Sequence, residues 1–435
     1  MDKHISIDAW QGARDLASLG GEESLFADAA REKLEQLRKE LQPLAARYDV
    51  VVANPPYMGS SSLGSWMSSW VKKQYPDEKS DLCTSFIERG FTLSRDDGAN
   101  AMITMQSWMF LGSYEKMRGK LLRNHSISSM AHLGTRAFGA IAGEVVSTTA
   151  TVFGNALSDE PGAYFRLVDM AGENEKREGY LEALANSECG WFFRRTRESF
   201  DLIPNSPIAY WASPSLLKAF SNGNPLRAIG RTSKGIITGD NNSFLRLWWE
   251  CGLCNTVFNG SSYEEAFETS NRWFACTKGG QFRKWAGNTE WVVDWRGNGE
   301  EVRKAAVRDG HHCQDYANEL KFAESATWSA ISSDVASFRY SDGMLSEHAG
   351  MCDFINHETI IYALAFLNST IARDALALLA PTLNFNAGDI DSLPLMYDEA
   401  AYETIETLAR KAISASLHDW NTSETAWNFT NHPLV

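Results

Sequence analysis

The chain reads as α/β, with part of a doubly wound sheet in its first half and a mixed α+β domain behind it. Three observations predict this. Strand-length apolar runs alternate with amphipathic helical spacing from Tyr48 to Phe153. The run Tyr48-Asp49-Val50-Val51-Val52-Ala53 stops abruptly before two consecutive prolines, Pro55 and Pro56. Beyond Asn155, loop-like stretches lead into a tryptophan-rich region with a different charge balance.

The elements follow in order. Gly20-Gly21 lacks a G-x-G spacing and reads as a turn. Ala30 to Ala46 is a charged helix with Leu34, Leu37, Leu41 and Leu44 on one side. Val50 to Ala53 do not alternate, which predicts a strand covered on both faces. Proline fixes φ and donates no ladder hydrogen bond. Asn54 and Tyr57 are therefore held on a stiff turn at the carboxyl edge of that strand, the edge where open α/β sheets bind ligands. Asp81 to Leu93 is a helix opened by Ser80, with Leu82, Phe86, Ile87 and Leu93 at helical spacing. Asn100 to Met105 is a buried strand, and Ser113 to Arg123 a helix that turns Met117, Leu121 and Leu122 inward. Ile127 to Leu133 and Val145 to Phe153 are two more strands, able to pair as a hairpin. A boundary between Asn155 and Asn205 divides the chain into 1–155, a connecting segment 156–205, and 206–435. Tyr362 to Leu379 is an apolar helix.

The turn at Asn54 has a specific chemical use. The exocyclic amine of adenine or cytosine is a poor nucleophile, because its lone pair is delocalised into the ring. Two acceptors set against its N–H bonds favour the tetrahedral nitrogen that alkylation needs. Asn54 offers a side-chain oxygen, and Pro55 a carbonyl without a competing N–H. Tyr57 can lie flat on a base, with its hydroxyl in solvent. Such a site works by positioning and by matched dipoles, with no strong base, and suits methyl transfer to an extruded base. The plainer reading of the same residues is a proline turn after a strand.

On these residues the chain resembles the N6-adenine DNA methyltransferases. Its further stretches Tyr75-Pro-Asp-Glu-Lys-Ser-Asp-Leu82, Ser107-Trp-Met-Phe-Leu-Gly112, Met130-Ala-His-Leu-Gly134 and Arg136-Ala-Phe-Gly-Ala-Ile-Ala-Gly-Glu-Val-Val146 are similar to one branch, the PglX methyltransferases of BREX phage-defence systems. The resemblance implies a Rossmann-like methyltransferase sheet, followed by a target-recognition domain over 206–435. It implies S-adenosyl-L-methionine as methyl donor, double-stranded DNA as substrate, and other phage-defence proteins as partners. Asn54, Pro55, Pro56 and Tyr57 match the catalytic loop. Phe138 matches a second aromatic that stacks on the base, though it reads equally as a core phenylalanine. Asp81 and Leu82 match a segment lining the donor pocket, though Asp81 also suits a first helical turn. The glycine-rich donor loop of the family has no counterpart upstream of Asn54. The expectation is therefore an internal fragment or truncated frame of a longer protein.

In the second half, Ile229 to Arg246 resembles the opening of target-recognition domains. Gly235 and Gly239 flank Ile236-Ile237-Thr238 there. Lys278-Gly-Gly-Gln-Phe-Arg-Lys-Trp285 also follows the branch pattern. The candidate DNA contacts are Lys234, Thr238, Asn241, Arg246, Lys278, Arg283 and Lys284. From Asn271 to Gly310 there are eight Lys/Arg against five Asp/Glu, interleaved with Trp273, Trp285, Trp291 and Trp295. That mixture suits phosphate and base contacts, or a tryptophan core with solvated charges around it.

Composition excludes some classes. At 435 residues, with 44% hydrophobic and 22% charged content, core size is not limiting. No apolar run approaches a membrane span and no secretory pattern opens the chain, so the expected location is the cytosol, with no membrane partner. A net charge of −14 argues against a uniformly basic nucleic-acid binder, but DNA binding needs only a local basic face. Seven irregularly spaced cysteines fit reduced thiols. Cys251-Gly-Leu-Cys254, Cys276, His311, His312 and Cys313 lack a second Cys-x-x-Cys, so no metal is assigned. Two other functions fit the same residues. One is a restriction–modification fusion methyltransferase, which needs a nuclease motif. The other is a DNA-recognition protein without catalysis, which would not bind the methyl donor.

Overall fold

The computed structural model describes residues 25–138, 146–332, 335–380 and 384–431. Gly20-Gly21, residues 139–145 of the Arg136–Val146 stretch, Pro381-Thr382-Leu383 and the side chain of Leu34 lie outside the described residues. The chain divides into two compact units, Met1–Asp201 with Asn205–Trp211, and Leu202–Pro204 with Ala212–Val435.

The first unit begins with α1 (Leu25–Ala45), β1 (Tyr48–Ala53) and α2 (Ser65–Gln74). It continues through α3 (Leu82–Leu93), β2 (Ser94–Met105), α4 (Glu115–Asn124), β3 (Ser126–Gly134) and β4 (Thr148–Gly154). β5 (Gly162–Arg166), α5 (Glu173–Ala185) and β6 (Phe192–Arg195) follow. The six strands form one sheet in the order β1-β2-β4-β3-β5-β6. β1 and β2 are parallel, as are β3 and β5, while β2–β4, β3–β4 and β5–β6 are antiparallel. The expected β3–β4 hairpin is present. The segment 156–205, read from sequence as a connector, instead extends the sheet. Its loop signals bracket Gly162-Ala-Tyr-Phe-Arg166, whose Tyr164 faces one core and Phe165 another.

One face of the sheet is packed by α3 and α4. Ile87 and Phe91 from α3, with Met117, Leu121 and Leu122 from α4, close over Met102, Met130 and Phe153. The inward set predicted for α4 is correct. On α3, Phe86 points outward and the buried side is Cys83, Thr84, Ile87, Gly90 and Phe91. Gly90 lets the helix approach β2. A Cβ there would stand 2.4 Å from Asn100 Oδ1, and the Asn100 amide donates to the Ile87 carbonyl at 2.9 Å. The helix is capped by Asp81 rather than opened by Ser80. Asp81 Oδ1 accepts from the Cys83 N–H at 2.9 Å.

Among the described residues, the opposite face is open over β1, β2 and β4, where it lines a cleft. β1 is an outer strand of this sheet, with Val52 75% exposed and Val50 exposed beside it. The predicted double coverage of β1 therefore fails, since only Val51 and Ala53 reach the core. Leu37 and Leu44 on α1 are likewise exposed, so the predicted leucine side of that helix is not a buried one in this unit.

The second unit holds two main sheets. One carries Thr256–Val257, Trp273–Thr277, Trp291–Asp294 and Leu245–Leu247 in that order, with Leu345–Ser346 beside Trp273–Thr277. The other runs Phe338–Ser341, Ser325–Trp328, Cys352–Ile355 and Gly230–Ser233. The predicted helix Tyr362–Leu379 is two helices, Ile360–Leu367 and Thr370–Leu379, bent by 69°. The break has a cause in the residues. Ser369 caps the second helix, and the Asn368 amide turns aside to pair with both backbone groups of Phe338. No single described helix is long and apolar enough to cross a membrane.

A buried carboxyl sits in the second sheet. Asp353 is fully buried, and neither side-chain oxygen has a hydrogen-bond partner. It pairs across the ladder with Thr232, whose hydroxyl donates to Asp391 at 3.0 Å. Burial, and then the Asp391 charge, push the Asp353 carboxyl from 3.8 up to about 7.

Two stability predictions follow from these contacts. Gly90→Ala should cost about 1–3 kcal/mol by overpacking against Asn100, measured by urea denaturation; an unchanged midpoint would show that the helix simply shifts. Because the folded pKa of Asp353 lies above the unfolded one, its favourable contribution is complete below about pH 3.8 and is lost as pH rises to about 7. Asp353→Asn should therefore flatten the pH dependence of melting over that window and raise stability above it.

Candidate active site

The ladder between β1 and β2 runs in register from Val50↔Ala99 to Ala53↔Met102, and stops where Pro55 has no N–H to give. The four turn residues then separate by exposure. Asn54 and Pro56 are exposed, Pro55 is buried, and Tyr57 is half-buried. The carboxamide of Asn54 thus stands free of the packed interior, on the rim of a cleft of about 650 Å³ that Val52, Ile103, Lys176 and Tyr180 also line.

Tyr57 differs from expectation. Its hydroxyl is not left in solvent but lies 3.3 Å from the Ile103 carbonyl and 3.4 Å from Asn54 Oδ1. Burial, with smaller contributions from Cys83 and Asp81, pushes the phenol up to about 12, so it stays neutral and donates. The ring is thereby pinned to β2, at the edge where Asn54 emerges.

The loop is also tied from behind. Asp81 Oδ1 accepts from the Met58 N–H at 3.3 Å as well as from Cys83, and the Leu82 N–H donates to the Met58 carbonyl at 3.0 Å. Asp81 is buried, and Leu82 half-buried. These two residues therefore brace the loop.

β3 is antiparallel to β4 and β4 to β2, so β1, β2 and β3 all end at one sheet edge. Phe138 lies past the end of β3 on that edge and is half-buried. Gln106 follows β2 there and was missed by sequence reasoning. Its Oε1 lies 2.7 Å from His132 Nε2, and His132 Nδ1 lies 2.9 Å from the Tyr210 hydroxyl. Burial drives the His132 imidazole down to about 3, so the ring is neutral, with one nitrogen donating and the other accepting. A lone histidine on a strand carries no sequence signal for this chain of contacts.

The candidate DNA contacts of the second unit separate into two groups. Lys234 and Asn241 are exposed. The others are engaged inside the protein. Thr238 is buried, and its hydroxyl donates to Asn241 at 2.6 Å. The Arg246 guanidinium donates to the carbonyls of Asn242 and Leu245 and lies 6.0 Å from the Trp273 ring. Lys278 sits 4.2 Å over Trp291. Arg283 pairs with Asp419 at 2.9 Å and lies 5.1 Å over Trp420, while Lys284 donates to the Asn368 carbonyl at 2.8 Å. These contacts set the cations against a tryptophan-rich framework, the other reading that their sequence pattern allowed. The bend at Gly235 and Gly239 is as expected, with φ of 72° and 76°. Among the described residues, no group of three or more His, Cys, Asp or Glu could hold a metal ion.

Comparison with known proteins agrees with this geometry. Residues 15–138 match the Eco57I restriction-modification methylase family. The chain is 38% identical over 411 residues to the adenine-specific methyltransferase PglX of Lacticaseibacillus casei (strain Zhang), covering 93% of this chain and 34% of PglX. It is 40% identical over 402 residues to the adenine-specific methyltransferase BrxX of Escherichia coli O9:H4 (strain HS), covering 90% and 31%. Among solved structures, the Type IIL restriction-modification enzyme MmeI in complex with DNA superposes with a TM-score of 0.54 at 12% identity, over 90% of this chain and 52% of that one. A nuclease-deletion mutant of the Type ISP enzyme LlaGI, with a DNA substrate mimic, gives 0.50 at 13% identity, over 94% and 38%. At that identity the two structures speak for the fold alone. The chain spans about a third of the length of the curated relatives it matches. Residues 15–138 are thus similar to the Eco57I restriction-modification methylases, and nearly the whole chain is similar to one third of an adenine-specific methyltransferase of the PglX and BrxX type.

Proposed function

We propose that this chain holds the acceptor in methyl transfer to N6 of adenine in DNA, in host marking and phage defence. One observation carries the reading: an exposed asparagine carboxamide on a rigid Asn-Pro-Pro-Tyr turn, beside a tyrosine ring pinned to the neighbouring strand. Asn54 Oδ1 and the Pro55 carbonyl accept from the two N–H bonds of the extruded amine, and this draws the nitrogen lone pair out of conjugation with the ring and toward a tetrahedral direction from which it can attack. Tyr57 stacks on the base. Phe138, at the same edge, closes the other face. The neutral Tyr57 phenol steadies Asn54 and is not itself a base.

S-adenosyl-L-methionine supplies the methyl group in this chemistry. The residues assigned to its pocket do not fit it on their own. The Asp81 carboxylate is buried, with one oxygen taken by two backbone N–H groups, and Leu82 uses its backbone to brace the loop. No step is therefore built on the donor, and the reading is confined to the acceptor. Recognition of the DNA sequence belongs to the second unit, with Lys234 and Asn241 as the exposed polar groups beside the Gly235–Gly239 bend. The cytosolic location and the association with other phage-defence proteins form part of the same proposal.

Three outcomes test it in the full-length protein, by sequencing of modified adenine. Asn54→Ala should lower methylation about 100- to 1,000-fold, the usual loss when one preorganised dipole is removed. Tyr57→Ala should do the same, whereas Tyr57→Phe keeps the ring and should lose only about tenfold or less. Methylation unchanged in both alanine variants would reject these roles. With the phenol pushed up to about 12, the pH–rate profile should show no ionisation that Tyr57→Phe removes below about pH 10.

A further inference from the structure

The chain between the Asn-Pro-Pro-Tyr turn and α3 forms a closed lobe. Its two ends are pinned together. Met58 binds Leu82 and Asp81, the Ser60 N–H donates to the Ser80 carbonyl at 3.0 Å, and Gly59 bridges Asp81. α2 lies within this lobe and is held by one buried residue, Val71. Its outward side carries Trp66 and Trp70, one helical turn apart. Trp66 is 72% exposed and Trp70 41%. The two rings lie nearly parallel, with centroids 6.5 Å apart and 13° between planes, and Tyr75 meets Trp70 edge-on.

Two large apolar rings in water need a partner. The surrounding residues select its chemistry. Lys72, Lys73 and Lys79 are exposed, whereas Glu78 and Asp81 turn inward and are buried, leaving Asp77 as the half-buried acid of the lobe. A chain of net charge −14 thus presents a local cationic surface here, rich in serine hydroxyls at Ser61, Ser62, Ser65 and Ser69. Cations and hydroxyls around flat rings match a polyanion with stacking bases. An apolar protein partner would leave the lysine charges uncompensated.

We infer that the Ser60–Asp81 lobe is a DNA contact, in which the Trp66–Trp70 stack receives an unpaired nucleobase next to the extruded adenine. This rests on the acceptor role proposed for Asn54. Because the lobe springs from the same turn, it reaches the strand from which the base has left, and its rings replace stacking that extrusion removes. Lys72 and Lys73 take the neighbouring phosphates.

The test is fluorescence-anisotropy titration of the 435-residue chain with three labelled probes of equal length: a matched duplex, a duplex with one adenine opposite an abasic site, and a single strand. The wild type should prefer the unpaired probes. Trp66→Ala/Trp70→Ala should lose about tenfold or more on those probes and at most about twofold on the matched duplex, while Trp66→Phe/Trp70→Phe retains most of the preference. The salt dependence should be unchanged in the tryptophan variants and shallower in Lys72→Ala/Lys73→Ala, since only the latter alters counterion release. Equal weakening on all probes, or none, overturns the inference, with circular dichroism confirming the fold. So does a variant that changes only the sedimentation of the protein, which would make the rings a protein contact. Asn54→Ala is titrated in parallel. Loss of preference there, with preference intact in the tryptophan variants, removes the lobe and leaves the acceptor reading. Absence of any DNA binding by the wild type removes both.

Discussion

The parallel ladder between β1 and β2 is the constraint on which the site depends. It fixes Ala53 opposite Met102, so the turn begins one residue beyond a defined height on the sheet. β2 runs on to Met105, which leaves the Ile103 carbonyl available to the Tyr57 hydroxyl. Pro55 then prevents the ladder from continuing, and the chain must leave the sheet with Asn54 outward. Because β3 ends at the same edge, Gln106 and Phe138 gather there without any sequence proximity to Asn54. A slip of one residue in this pairing would turn the side chains of β1 to the other face and part the Tyr57 hydroxyl from the Ile103 carbonyl.

Much of this was legible in the residues. The strand ending in two prolines, the inward side of α4 and the β3–β4 hairpin follow from local pattern, and local pattern survives folding when each element packs on one face. What was not legible depends on neighbours. Val50 and Val52 look like a doubly covered strand, but coverage is set by what lies beside β1, and in this sheet β1 is an outer strand. β5 and β6 are short and sit between loop signals, so the pairing of β5 with β3 and of β6 with β5 appears only in three dimensions. Asp81 suited either a first helical turn or a pocket lining by pattern, and the hydrogen bond it accepts from the Cys83 N–H, which makes it the cap of α3, depends on geometry that pattern does not carry.

The cations of the second unit carry the same lesson. Arg246, Lys278 and Arg283 stand near tryptophan in sequence, a pattern shared by nucleic-acid surfaces and by cation–π frameworks. In the structure each lies over a ring, and Arg283 also pairs with Asp419. Sequence gives the composition of such a patch but not the direction of a long side chain, which depends on what surface its methylenes can cover. The buried Asp353, by contrast, has no sequence signature at all, since an aspartate in Met351-Cys-Asp-Phe-Ile355 could as readily face water.

Asp81 joins two things usually considered apart. One carboxylate oxygen starts α3 and also holds the main chain just past the Asn-Pro-Pro-Tyr turn. Helix and turn therefore share a hinge pin, and disturbing it displaces both. A defect caused by altering this residue would resemble loss of a ligand contact while arising from a loosened frame, so its phenotype alone is a poor guide to which residues touch a ligand.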